Sequence, residues 1–334
     1  MKTTLGFSLI LGVIAFANQT APSASAERVP YSIDEINDSS GDDTTAVDIN
    51  DLGQVAMFIT NPSGQNDVYL WEDGTLTNLA IDSTPVSINN LGQVVGVANY
   101  NGRVMIWEVG LVILTNLPYT PTEINDNGYY VDYHAIRYDR IRAGFFSLDN
   151  YWSALPVLHD HDSTEALGIN NSNVVTGWST ASNSKITLAV FQQSAIQVIG
   201  GFSYDMTAGY AINDANIIVG AGMNYIDSIH HAFTYNVETG ERALINIRGD
   251  SIPVDINSAG DVVLMVDGVP TLWSQGVSTP LSLLARGDSD WELTTVTAIN
   301  DDGWIVGTGY LNGNQRGYLL KPQVGLDPVR RRQR

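Results

Sequence analysis

"AINDDGWIVG", residues 298–307, reads in isolation as an acidic turn between two short apolar runs. The same pattern occurs six more times: "DINDLGQVAM" from Asp48, "SINNLGQVVG" from Ser87, "EINDNGYYVD" from Glu123, "GINNSNVVTG" from Gly168, "AINDANIIVG" from Ala211 and "DINSAGDVVL" from Asp255. The Ile-Asn pairs begin at Ile49, Ile88, Ile124, Ile169, Ile212, Ile256 and Ile299, with successive spacings of 39, 36, 45, 43, 44 and 43 residues. A period near forty marks one supersecondary unit copied along the chain.

Each unit has the same internal order. A short extended run such as "TPVSI" precedes the Ile-Asn pair, and a β-branched run such as "VVGVA" or "WIVGTG" follows the turn. A variable polar loop leads to a third run carrying aromatics, "VYLW" at 68–71 or "HAFTY" at 231–235, and a fourth run such as "TLTNLAI" closes the unit. Runs of this length rich in Val, Ile, Thr and aromatics, separated by Asn, Asp and Gly, are strands. Four strands per forty residues, with no helical periodicity, describe a propeller blade. The expectation is an all-β, seven-bladed β-propeller of four-stranded blades.

The chain ends test that count. The seventh unit lacks a fourth strand before Pro322, Gly325 and Pro328, while "VPYSIDEI", residues 29–36, stands before the first unit with no blade of its own. An open ring would leave unpaired edges. The N-terminal strand is therefore expected to complete the last blade from outside, giving a propeller over residues 27–322 and a basic tail over 323–334.

Two readings of the repeated turn compete. Asn bonds its own backbone two residues on and Gly tolerates positive φ, so "N-x-x-G" builds a tight hairpin without a ligand. A calcium loop of the EF-hand type needs a bidentate Glu at its twelfth place. In the best match, "EINDNGYYVDYH", that place is His134. The turn is read as structural, and no metal or cofactor is expected.

Composition narrows the classes further. Residues 1–26 have one Lys, an apolar stretch and "ASA" before Glu27, the pattern of a bacterial secretory signal cleaved after Ala26. Its loss removes Lys2 and no acid, taking the net charge from -20 to -21. Such a surface disfavours nucleic acid and anionic membranes. No later segment is long and apolar enough to span a membrane. The absence of cysteine excludes disulfides and thiolate chemistry. The expected setting is secreted or periplasmic and the expected state a monomer. The "RRRQR" end reads as a solvated tail or a sorting signal.

The pattern "IN..G.VVG", followed by His231, Ala232, Phe233 and Tyr235, resembles the extracellular HAF-repeat proteins of bacteria. The resemblance spans residues from about 44 to 320, with "HAF" itself intact in the fifth unit. It implies secretion and a repeat-built fold and brings no catalytic residues.

Function is then sought in the loops, which escape the packing that fixes strands. In a propeller the second-to-third and fourth-to-first connections share one face, and the Asn-Gly turns lie on the other. The variable loops "NPSGQND" (61–67), "NYNG" (99–102), "STASNSK" (179–185), "MNYIDSIH" (223–230) and "YLNGNQR" (310–316) combine amides with aromatics, as a sugar hydroxyl array requires. Trp178, Tyr225, His230 and Tyr310 are the candidate contacts there. The third unit departs most, with "YYVDYHAIRYDRIRAGFF" over 129–146. Arg137, Arg140 and Arg142 could clamp a carboxylate or sulfate, with Tyr130, Tyr133, Tyr138 and His134 beside them. The same cluster fits a polysaccharide lyase, in which Arg137 or Arg140 neutralises a uronate and His134 or Tyr133 moves the proton. It equally fits arginines paired with Asp132, Asp139 and Asp149 on a surface loop. His159 and His161 in "HDHD" are weak metal candidates. No phosphate loop, HExxH helix or Gly-x-Ser-x-Gly elbow is present. The reading is a binding or scaffold module for an extracellular polysaccharide, with a surface protein as the alternative partner and a lyase as the third.

Overall fold

The computed structural model describes residues 29–37, 41–108, 111–114, 120–137, 140–147, 152–157, 161–181, 185–192, 195–285 and 290–323. They form seven antiparallel four-stranded sheets and a single helical turn, Leu281–Leu284. Blades 1 to 6 cover residues 43–80, 83–114, 120–154, 161–198, 206–244 and 251–280, each with its strands in sequence order. The first strand of each blade is innermost and ends in the Ile-Asn turn.

Blade 7 is closed as expected. Its order runs Trp291–Ile299, Ile305–Leu311, Asn314–Pro322 and then Tyr31–Ile36. Tyr31 lies opposite Pro322 and Ile36 opposite Gly317, so the chain's first strand is the outer edge of its last blade. Arg316, buried at this seam, donates from Nε to Glu35 Oε1 at 3.0 Å and from its terminal nitrogens to the carbonyls of Asp42 and Gly41. Thr44 bridges blade 1 to the same strands, donating to Ile36 O at 2.7 Å and accepting from Gly317 N at 2.9 Å. The closure is thus a sheet edge pinned by a buried guanidinium.

The core lies between blades. Among the described residues there are seven apolar clusters, one at each blade-to-blade interface. Alternation along a strand turns successive side chains to opposite faces, so each sheet faces both of its neighbours. A Gly in the second strand recurs as Gly96, Gly177, Gly220 and Gly307, and a Cβ there would meet the backbone of the innermost strand. At Gly96, Gly220 and Gly307 it would also meet the rings of Trp107, Phe233 and Tyr318. The missing side chain is what lets those rings pack flat.

The repeated Asn is structural, and it does more than shape its own turn. In all seven blades its Oδ1 accepts the N–H four residues on, at 2.8 to 3.0 Å. The fourth turn position has positive φ everywhere, with Asn173 (φ 60) and Asn216 (φ 58) replacing Gly in blades 4 and 5. Its Nδ2 donates to the carbonyl of the matching Asn in the next blade, from Asn50 to Asn89, Asn125, Asn170, Asn213, Asn257, Asn300 and back to Asn50, at 2.9 to 3.1 Å. One residue per blade closes a sevenfold hydrogen-bonded ring around the axis.

Candidate functional site

The loop face carries exposed aromatics on second-to-third-strand connections. Tyr100 in blade 2, Tyr225 in blade 5 and Tyr310 in blade 7 are 62%, 60% and 42% exposed. Each stands within two residues of an asparagine, Asn99 and Asn101, Asn224, and Asn312 respectively. Ile81 and Ile226 on the same face are 72% and 97% exposed. Backbone N–H groups fix two of these connections: Gly102 N bonds Ala98 O at 2.8 Å, and Tyr225 N bonds Asp205 Oδ2 at 2.8 Å.

Between blades 4, 5 and 6 the same face holds a cluster of ionisable and aromatic groups. Glu165 lies opposite Trp178 across the first strand pair of blade 4. Burial raises the Glu165 carboxyl, against the bond it receives from Trp178. Tyr210 occupies the bulge in the innermost strand of blade 5. Burial and then the charges of Asp250 and Glu165 push its hydroxyl upward. His230 Nδ1 sits 2.8 Å from Asp250 Oδ1, and the His230 backbone N–H donates to the same oxygen at 2.7 Å. Against its own desolvation, these bonds hold Asp250 below the usual carboxylate range. His231 stacks on Tyr204 at 5.4 Å. The sequence pointed to Trp178, Tyr225 and His230, and it missed Glu165, Tyr204, Tyr210 and Asp250. Only the closed ring brings inner-strand residues of different blades together.

The third-blade cluster is rearranged. Tyr129–Arg137 and Arg140–Ser147 pair as two long antiparallel strands where the sequence suggested a loop. Tyr130 cannot contact a ligand because it is buried towards blade 2 and stacked on Phe146 at 4.9 Å. Tyr133 is half-buried two residues beyond Val131 on the blade 4 side. Arg142 donates to the carbonyls of Ile141 and Asp162, the latter at 2.6 Å, which ties it to blade 4. The side chains of His134, Arg137 and Arg140, and all of Tyr138, Asp139, Asp149 and His159, lie outside the described residues. Asp132 forms no ion pair with an arginine side chain among the described residues; it is buried, and what partly offsets its desolvation is the backbone N–H of Gly144, opposite it across the hairpin. It stands where four other blades have the packing Gly. His161 Nδ1 is engaged by Ser179 Oγ at 2.6 Å. Among the described residues no three His, Asp or Glu side chains are grouped to hold a metal ion.

The turn face holds a feature that the repeat hid. The seven turns surround an axial cavity of about 150 Å³ lined by the residues on either side of each Ile-Asn pair. At its mouth stand Asp51, Asn90, Asp126, Asn171, Asp214, Ser258 and Asp301. Six of these seven positions are linked to a neighbour by a backbone N–H donating to the next side chain, among them Asp51 N to Asn90 Oδ1 and Asp301 N to Asp51 Oδ1. Deeper in the ring are Asp48, Glu123 and Asp255. The signal was in the sequence as the letters flanking Ile-Asn, which converge only once the ring is closed.

The chain matches no protein-family model and no curated protein sequence. By structure it is similar to virginiamycin B lyase from Staphylococcus aureus, with 12% identity and a TM-score of 0.58 over 86% of this chain and 99% of that one. It is likewise similar to an oligogalacturonate lyase from Vibrio parahaemolyticus, with 10% identity and a TM-score of 0.60 over 89% and 98%. A third similar structure is YCF48 bound to D1 peptide, with 12% identity and a TM-score of 0.53 over 90% and 99%. Likeness at these identities shows the propeller fold alone, and the HAF-repeat resemblance stands on its motif.

Proposed function

We propose that the protein is a binding module of the HAF-repeat type, working outside the cytoplasm as a monomer, whose loop face recognises an extracellular polysaccharide. The observation that carries this reading is the set of tyrosines Tyr100, Tyr225 and Tyr310, each solvent-exposed within two residues of an asparagine at or beside a second-to-third-strand connection of one face. A sugar ring needs a flat apolar surface and neighbouring planar hydrogen-bonding groups, and each connection supplies both. Trp178, Tyr210 and His230 extend the surface inward. No membrane attachment enters this reading, and no helix of the described residues is long and apolar enough to cross a bilayer.

The test is retention of the mature chain on an array of neutral, uronic and sulfated polysaccharides. Each sample is also read for the ultraviolet absorbance of unsaturated uronates. Retention that falls at least about tenfold in the triple Tyr→Ala variant at 100, 225 and 310 supports the proposal. Retention unchanged by that variant overturns it. Absorbance growing with time would make the protein a lyase and send mutagenesis to His134, Tyr133 and Arg137.

One observation favours a protein partner instead. Ile81 and Ile226 offer bare aliphatic surface, which suits a polypeptide better than a sugar. Silence on the array, with capture of a surface protein lost on changing both isoleucines to Ser, would establish that reading.

A further inference from the structure

The axial cavity places seven carboxyl groups together and no balancing base. Asp48, Glu123 and Asp255 stand inside, and Asp51, Asp126, Asp214 and Asp301 at the mouth. The matching places in the remaining blades hold Ser87, Gly168, Ala211 and Ala298 inside, and Asn90, Asn171 and Ser258 outside. No Lys, Arg or His of the described residues lines it. The inner acids also join blades. Asp48 Oδ2 accepts the N–H of Ile88 at 2.8 Å, Glu123 Oε2 that of Ile169 at 2.6 Å, and Asp255 Oδ2 that of Ile299 at 2.9 Å. Blades 1, 3 and 6 thus reach blades 2, 4 and 7 through carboxyl groups at the axis.

We propose that this cavity is an acid-operated clasp: with its inner carboxyls protonated the blades are held together at the axis, and with them ionised the turn face of the ring loosens. Like charges crowded around one small cavity repel, and the group that can relieve them here is the proton. Burial and then the Asp255 charge push Asp48 up to about 7. Burial pushes Asp255 to about 6 against the N–H groups of Ile299 and Ile256, and Glu123 is driven upward by burial and by Asp255. All three shifts are upward, so the folded state binds these protons more tightly than the unfolded chain does. Their contribution is complete below the ordinary carboxylate range and is lost as pH rises through about 6 to 7.

The test follows the melting temperature of the mature protein from pH 5 to pH 8.5, together with native-state amide exchange at Ile88, Ile169 and Ile299. The clasp requires the melting temperature to fall by several degrees across that span. Protection of those three amides should drop by about tenfold more than protection in the outer strands. Glu123→Gln keeps an oxygen for Ile169 and removes one ionisation, so it should shrink the fall; Asp48→Asn with Asp255→Asn should shrink it further, leaving the parts that Glu123 and Asp132 contribute. Asp132→Asn controls for the other buried acid and should leave exchange at the axis unchanged. A flat melting temperature, or a fall that these axial variants do not alter, overturns the clasp. Full recovery at pH 8.5 with millimolar calcium, but not with sodium at equal ionic strength, also overturns it and makes the cavity a metal site.

Discussion

Asn300 Nδ2 donates to the carbonyl of Asn50 at 3.0 Å, joining the last blade to the first across 250 positions of sequence. Its Oδ1 meanwhile accepts from Trp304 N at 2.8 Å and shapes its own turn. The side chain is buried, so removing it strands both a carbonyl and an N–H. Asn300→Ala should cost about 2 to 4 kcal/mol, at roughly 1 to 2 for each stranded partner. Thermal unfolding of the variant checks this; loss of ligand binding with stability intact would contradict the structural role of the Asn ring.

Removal of residues 27–37 should be more damaging than any point change. It exposes the edge of Asn314–Pro322, takes Glu35 from Arg316 and empties the site of Ile36, which is wholly buried between blades 7 and 1. An uncovered edge strand is a template for another chain. A sharply lower melting temperature accompanied by self-association in sedimentation is the expected result, and a monomer of unchanged stability would refute the closure.

Much of this architecture was legible in the repeat. The Ile-Asn spacing gave blade number, the missing fourth strand in unit seven gave closure, and turn chemistry gave the role of Asn50 and its six counterparts. What the repeat could not show was convergence. Asp48 and Asp255 are unremarkable before Ile in a linear sequence and become neighbours only on a ring. Tyr130 was misplaced for the opposite reason: its loop-like surroundings, rich in Arg and Tyr, form a regular hairpin whose alternation turns that ring inward. Arg316, at the end of the 310–316 loop run, is spent on the seam.

Gly307 offers a test of interface packing. A methyl group there would press into the Thr295 carbonyl and the Tyr318 ring, and Tyr318 is itself wholly buried and bonded to Thr295 O at 2.7 Å. Gly307→Ala should destabilise by about 1 to 3 kcal/mol, as overpacking does. The same change at Gly313, whose added Cβ would meet nothing within 4 Å, carries only the strain of its φ of 82°. Equal losses at the two positions would show that the close approach at Gly307 is unimportant.

Asp132 should report alkaline weakening. Burial raises its carboxyl to about 8, against the partial relief given by the Gly144 N–H. The raised value means that the neutral form is the one folding prefers, so its contribution is present below the ordinary carboxylate range and disappears as pH rises through about 8. Asp132→Asn should therefore melt higher than the parent at pH 9 and close to it at pH 5. A variant that loses stability equally at both pH values would show that the carboxyl carries no such penalty.

The position of Tyr31–Ile36 also sets an order of events. Tyr31–Ile36, the earliest of the described strands, pairs along its length with Asn314–Pro322 and bridges Ala285, so it must wait until most of the described chain has been made. Contacts this distant in sequence are slow to find because a long loop must close before they repay its entropy. The six interfaces between consecutive blades can form in succession as synthesis proceeds. The seam is the exception, and until it forms the nascent ring has two open edges that a chaperone or a second chain could occupy.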